Sequence, residues 1–446
     1  MTVSKDALLR KIEQHVANMP PVRAFEVNGQ AVLFCEADTQ GIVYADFMFD
    51  LNGVTQAERP LVGLLCRCLK AASAKVAGTD RFRHVLGGFE ADIVPVSAEN
   101  AMIRLRTKCF ARDADKLAAL VAAIYESEEM LCGEAAVAAV LQHTLCRMDT
   151  ALVREAEKFT PAAAGRRFFH SRSVWHEAAG IGLYHYVLNI HKNKKSIDFR
   201  QLLALKRSFL CPKNTSLRLT CDKACLEKMM RCIPNMTETP YFRRFLATSP
   251  HYGTRNSPAH IETAVTRSET HSVASALDLR QIAGKKAFAA DDGVMAVVCA
   301  ILDARLTRIV RQEGGAYGTR CSYTADGLLT MLSYGDPHTT RTIDTFAKVF
   351  GQACEGLPVP VLAFGVLNQF IRPRHVSLCG YAALERAVYN VKDDAYEHFL
   401  FSILETTDEN AYQRLQQLSG WPQSVFILGS RTGVEALTQT EIYGTD

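Results

Sequence analysis

The groups best suited to chemistry in this chain lie in one short run, Arg311-Gln-Glu-Gly-Gly-Ala-Tyr317. An arginine offers a rigid fork of donors and a tyrosine a phenolic hydroxyl, and such a pair can hold a carbonyl or a developing oxyanion. Between them stand Gly314 and Gly315. Glycine takes the positive φ that a helix end requires and lets other backbone come close. Ordinary capping would use the same residues, because Gly-Gly stops a helix and a last-turn arginine suits the negative end of the helix dipole.

The flanking residues predict what positions this run. Val294, Val297, Val298, Ile301, Leu302, Leu306, Ile309 and Val310 recur at helical spacing, so a helix is expected over 290–311. A strand is expected over Leu328–Tyr334, then Ser333-Tyr-Gly-Asp-Pro337 and a helix from about Thr339. Arg311 then falls in the last helical turn and Tyr317 just past the glycines, both directed at the same space.

The same order occurs earlier in the chain. A strand from Ile42 to Leu51 precedes a helix near 58–74, then Gly87-Gly88, an alternating strand from Ala101 to Phe110 and a helix from about Asp113. Its counterparts are Ser272–Leu279, the helix of 290–311, Gly314-Gly315, Leu328–Tyr334 and the helix from Thr339, at an offset of roughly 225–230 residues throughout. Each copy closes on a strand, Ser216–Thr220 in the first and Val425–Leu428 in the second. The stretch Thr248–Thr270 lacks periodicity and reads as a connector. We therefore expect a first α+β domain over 1–247, a connector over 248–270 and a second α+β domain over 271–446 carrying the Arg311–Gly318 motif. Each domain is expected to be an antiparallel sheet with helices on one face, the alternation of the strands leaving the other face wetter.

Composition narrows the function. At 446 residues, 48% hydrophobic and 22% charged, the chain is an ordinary multi-domain globular protein. Its 51 basic and 47 acidic residues balance to +4, which argues against nucleic acid as partner. No apolar run reaches the roughly 20 residues of a membrane span. Most of the 14 cysteines sit in apolar runs, pointing to packed thiols in a reducing compartment. Cys221, Cys225 and Cys232 fit no zinc spacing and read as a core helix face. The N-terminal MTVSKDALLRKIEQHV reads as an amphipathic helix.

Other chemistries lack their residues. No Gly-x-Ser-x-Gly elbow, Gly-x-Gly-x-x-Gly or Walker loop is present. Among the 13 histidines no two stand three or four apart, so no helical pair of metal ligands forms. The aromatic and basic stretch Arg166–Trp175 is either a packed helix or a weak candidate for a substrate surface.

The apolar helix, Arg-x-x-Gly-Gly-Ala-Tyr-Gly, the strand, Ser-Tyr-x-Asp-Pro and the Thr-rich helix start together resemble the C-terminal half of the presequence protease branch of the pitrilysin/insulysin zinc metallopeptidases. Gly41–Leu51, Pro60–Leu69, Gly87-Gly88 and the closing Val425–Gly429 extend the likeness in the same order. The resemblance implies one bowl of a two-bowl clamshell around a chamber. It also implies that the zinc site, His-x-x-Glu-His, belongs to the other half, so this chain holds no metal and is inactive without a zinc-bearing partner half. Arg311, Gly314, Gly315 and Tyr317 would then contact an unfolded peptide substrate, with Arg311 on a backbone carbonyl and Tyr317 supporting the transition state. The family's location implies the mitochondrial matrix. The other expectation is a catalytically inactive pseudo-peptidase serving as a structural subunit of a larger mitochondrial complex. Two departures stand out: Gln312-Glu313, whose charge would disfavour an anionic product, and Gly335, where the family commonly has arginine.

Overall fold

The computed structural model describes residues 5–27, 30–77, 85–126, 133–232, 260–266, 270–280, 290–351, 358–430, 434 and 441–443. The amphipathic start folds as helix α1 (Lys5–Ala17), burying Leu8 and Ile12. Strands β1 (Val22–Val27), β2 (Gln30–Glu36) and β3 (Ile42–Asp50) lead to α2 (Arg59–Ala77), and β4 (Val85–Pro95) and β5 (Ala101–Phe110) follow. Next come α3 (Ala114–Glu126), α4 (Gly133–Arg154), α5 (Ala156–Gly165), α6 (His170–Ala178), α7 (Ile181–Lys192) and α8 (Phe199–Phe209). Strand β6 (Thr215–Cys221) and α9 (Lys223–Cys232) close the first copy.

The second copy runs β7 (His260–Val265), β8 (His271–Asp278), α10 (Ala290–Leu306), a π-helical turn (Thr307–Gln312), β9 (Gly318–Tyr323) and β10 (Leu328–Asp336). It ends with α11 (Thr339–Lys348), α12 (Val359–Ile371), α13 (Val376–Val388), α14 (Asp393–Leu404), α15 (Asp408–Leu418), β11 (Ser424–Gly429) and β12 (Glu441–Tyr443).

The strands make two six-stranded sheets, β1-β2-β6-β3-β5-β4 and β12-β7-β11-β8-β10-β9. The inner order is the same in both. Strand β6 lies parallel to β2 and antiparallel to β3, as β11 lies parallel to β7 and antiparallel to β8. The copies diverge at the outer edge, where β1 runs antiparallel to β2 while β12 runs parallel to β7. They also diverge in length: β3 begins at Ile42 and β8 at His271, but β6 begins at Thr215 and β11 already at Ser424. The offset therefore does not hold throughout, because the second copy has a shorter helical segment before its last strand.

Alternation explains which side chains face which core. In β3, Val43, Ala45, Phe47 and Phe49 enter the larger core with α2. Asp46 and Met48, on the other face, are buried as well. The wetter face expected from alternation is thus covered, and the cover comes from the opposite copy. Helix α13 lies over the β2 and β6 side of the first sheet, where the Tyr381 ring stacks under the Arg106 guanidinium, 3.9 Å from it. Reciprocally, α5 packs on β8, β10 and β11, and Ala274, Ala276, Leu328, Leu332, Phe426 and Leu428 of the second sheet join the first copy's core. The opposite face of that sheet, with Val273, Leu329, Met331 and Ile427, packs on α10 and its neighbours in a second core. Polar contacts tie the copies further. Arg166 and Arg167 pair with the buried Glu262, and Arg280 donates to Glu99 at 3.0 Å and to the Phe168 carbonyl at 3.1 Å.

Two expectations are corrected here. Of the connector 248–270, residues 248–259 and 267–269 lie outside the described residues, but His260–Val265 is a sheet strand. Its parallel pairing with β11 supplies the order that its own sequence does not announce. Cys221 and Cys225 do not share a helix face: Cys221 ends a strand, and Cys225 sits in α9 with its thiol donating to Asp222 at 3.0 Å.

Candidate functional site

The helix that carries Arg311 changes character before it ends. From Thr307 the backbone widens to a π-turn, in which Glu313 N–H donates to Arg308 O at 3.0 Å, one residue beyond the α-helical partner. Two contacts from β9 pin the strand to this turn and to α10. The Asp303 carboxylate accepts from Cys321 N–H at 2.7 Å, and the Thr307 and Thr319 hydroxyls meet at 3.1 Å. Burial pushes the Asp303 carboxyl upward, against the opposing effect of that hydrogen bond. Gly315, at φ +79°, then reverses the chain, its N–H returning to Arg311 O at 3.0 Å. This is a left-handed helix cap, so the capping reading of the glycines holds geometrically.

Arg311 stands exposed on this turn and makes no hydrogen bond or ion pair among the described residues. Glu313 is drawn instead to Arg308, 3.3 Å away on the surface. The acidic departure from the family pattern is thereby locally neutralised, although so exposed a pair is worth little in stability.

Tyr317 is held differently. Its N–H donates to Gly335 O at 3.2 Å, and its ring lies 5.8 Å from that of Tyr334. Gly335 occupies a bulge, where the register of β10 shifts between Tyr334 and Asp336, and has φ +59°. A Cβ there would sit 2.7 Å from the Tyr317 Cβ. A side chain at 335 would therefore require Tyr317 or the bulge to shift. Despite this footing, Tyr317 is 76% exposed. An aromatic side chain that is fixed at its base and open to solvent along its ring is poised for contact rather than packing.

Asp336 anchors the bulge from below. It is 1% exposed and accepts from the hydroxyls of Ser333 and Thr342, each at 2.6 Å, and from His338 N–H at 2.7 Å. The Ser-Tyr-Gly-Asp-Pro run is therefore a clamp on the start of α11, not a set of reactive groups.

A cavity of about 190 Å³ opens beside Tyr317, between the copies. Tyr317, Tyr334 and His271 line it from the second copy, and Val153, Arg154 and Glu157 from the junction of α4 and α5. Arg311 is not in its lining. The structure thus brings Tyr317 to an inter-copy cleft and leaves Arg311 on the turn outside it. The first-copy residues escape sequence reasoning because nothing local at 152–157 signals a wall completed from so far along the chain.

The stretch Arg166–Trp175 packs. Phe169 is fully buried beneath the Arg280 guanidinium, 4.6 Å from its ring, and Arg166 pairs with Glu262. His176, just beyond, is buried with Nδ1 unpartnered among the described residues and its ring edge-on to Phe426. Burial, then Arg166 and His185, hold its pKa well below the usual range. No three histidine, cysteine or carboxylate side chains converge among the described residues. His176 and His185 have no acidic partner to complete a ligand set, and these residues do not fit a zinc ion.

Comparison with known proteins agrees with this geometry. The family described as associated with peptidase M16, subfamily C, matches residues 8–190. Presequence protease 1, chloroplastic/mitochondrial, of Arabidopsis thaliana is 22% identical over 87% of the chain, and the mitochondrial presequence protease of Drosophila melanogaster is 18% identical over 86%. The chain spans only 37% and 38% of the lengths of these two relatives. In fold, a Pseudomonas fluorescens peptidase M16 inactive domain superposes with a TM-score of 0.60 at 16% identity, covering 92% of this chain and 98% of that one. Pitrilysin superposes at 0.62 and 12% identity, over 96% of this chain and 45% of its own. No helix among the described residues is long and apolar enough to cross a membrane. The paired α+β copies and these likenesses agree: the chain is similar to M16 peptidase halves in fold and to part of the presequence proteases in sequence.

Proposed function

We propose that the chain is the non-catalytic half of a presequence-degrading peptidase, closing a chamber against a zinc-bearing half and presenting Arg311 and Tyr317 to the peptide. The observation that carries this reading is Tyr317, 76% exposed on a base braced by Gly335, Tyr334 and the Asp336 clamp. Neither the sheet nor the core requires an aromatic there. Arg311, exposed and unpaired among the described residues on the preceding turn, offers a forked donor to a peptide carbonyl. The Tyr317 hydroxyl would donate to an oxygen gaining negative charge, and Gly314 and Gly315 let an extended backbone pass close to the turn. The zinc of the partner half would activate the attacking water. The names of the relatives support a mitochondrial location and a presequence-like, unfolded peptide as substrate.

Reconstitution tests the proposal. The chain is purified with a His-x-x-Glu-His half and assayed on an unfolded peptide, with chelator as control. Arg311→Ala and Tyr317→Phe are each expected to lower turnover by one to three orders of magnitude, about 1.4–4 kcal/mol, with unchanged melting temperature. Unchanged turnover in both variants would remove these residues from the substrate path. A native pull-down that yields only a large inactive assembly, with no peptidase half, would assign the chain a structural role instead.

A further inference from the structure

A second cavity, of about 210 Å³, lies far from Tyr317 in the fold, where the end of α13 crosses the outer strands of the first sheet. Val22, Ala24 and Leu33 form one wall, and Ala387 and Val388 the other. Alanine where larger residues would fill the gap is what leaves the space. Arg218 and Ser216 of β6 and Asn390 beyond α13 are the polar residues of the lining. The Arg218 side chain is largely buried, and Nη2 is sealed from solvent with no hydrogen-bond partner among the described residues. A guanidinium in an apolar wall is costly unless an anion answers it.

Asp46, opposite Arg218 across the β3–β6 pair, and Glu385 favour its charge, but neither hydrogen-bonds to it among the described residues. Asp46 gives both oxygens to Arg106, at 2.9 Å each, and Asp92 gives both to Arg104. Glu385 of α13, exposed at the surface, lies within electrostatic reach of Arg218 but forms no ion pair with it among the described residues. Arg104 and the Tyr389 hydroxyl complete the charged and titratable surroundings. A mainly apolar space, with Ser216 and Asn390 among its lining and a guanidinium whose Nη2 has no hydrogen-bond partner among the described residues, is complementary to a short aliphatic chain ending in a carboxylate.

We propose that this cavity binds an aliphatic carboxylate, its charge on Arg218 and its chain between Val22, Leu33 and Val388. A free medium-chain acid and the C-terminal leucine of a peptide share that chemistry. Calorimetric titration of the whole chain with octanoate, octanol and N-acetyl-Gly-Gly-Leu tests the assignment. Octanoate or the leucine peptide is expected to bind with a dissociation constant of about 10 µM to 1 mM, and octanol at least about tenfold more weakly. Whichever acid binds more tightly identifies the source. Arg218→Met should erase the preference of octanoate over octanol, whereas Ala387→Phe, filling the cavity, should abolish binding of both. If Ala387→Phe fails to fold, as judged by its thermal transition, Ala24→Leu serves the same purpose. Equal binding of octanol and octanoate, unchanged binding in the filled variant, or no binding of either acid at about 5 mM overturns the proposal.

Discussion

Phe89-Glu90 in the first copy and Ala316-Tyr317 in the second follow paired glycines, the former inside edge strand β4 and the latter just before edge strand β9. In both copies the first residue is buried and the second exposed, which strand alternation explains within β4. Phe89 is 5% exposed and Ala316 likewise 5%, while Glu90 and Tyr317 face solvent. Phe89 is fixed by Ser73, whose hydroxyl accepts from its N–H and donates to its carbonyl, each at 2.8 Å. The fold therefore specifies an apolar inward residue and is indifferent to the outward one. An exposed glutamate at that place needs no explanation; an exposed tyrosine braced by a glycine bulge does.

That contrast can be broken most forcefully at Phe89. Phe89→Ala is expected to cost about 3–5 kcal/mol in urea unfolding, since it empties a core position beneath α2. A loss below about 1 kcal/mol would mean that the inward position is not the structural one. Asp336→Asn comes next, at about 2–3 kcal/mol, because an amide cannot accept from both hydroxyls and the His338 N–H as the carboxylate does. Its melting temperature, compared with Thr342→Val, measures how firmly the clamp holds Tyr317. Gly335→Arg, which restores the residue common in the family, should cost about 1–3 kcal/mol through positive φ and collision with Tyr317. A neutral result would show that the bulge can relax.

The join between the copies gives a smaller, pH-dependent effect at His176. Its folded pKa lies well below the ordinary 6.5, first by burial and then by Arg166 and His185. As pH falls through about 6.5 the unfolded chain takes up a proton that the folded chain refuses. Stability is therefore present above that pH and lost below it, by up to about 1.4 kcal/mol per pH unit from this residue. His176→Gln should flatten the fall between about pH 6.5 and 5, and an unchanged slope would assign it to other groups. Smallest of all is Tyr317→Glu, which makes the second copy mimic the first at its outward position. It should change stability by under about 1 kcal/mol while removing turnover from a reconstituted enzyme.

Local periodicity is a property of neighbours in sequence, and whatever it encodes was legible. The strands at 42–50, 101–110 and 328–336, the helices on either side of them and the duplication follow from alternation and 3.6-residue spacing. So does the order Arg311, Gly314-Gly315, Tyr317 with its glycine cap. Elements whose identity depends on distant partners were not legible. His260–Val265 becomes a strand by pairing with β11, and the last turn before Arg311 widens where β9 is pinned by Asp303 and Thr307. Gly335 makes sense only with Tyr317 stacked above it. Most of all, the second face of the first sheet looked solvent-facing because Tyr44, Asp46, Arg104 and Arg106 are polar. Tertiary structure alone lays α13 of the opposite copy there, and α5 on the second sheet, since burying a sheet face is settled by what the whole chain can bring to it.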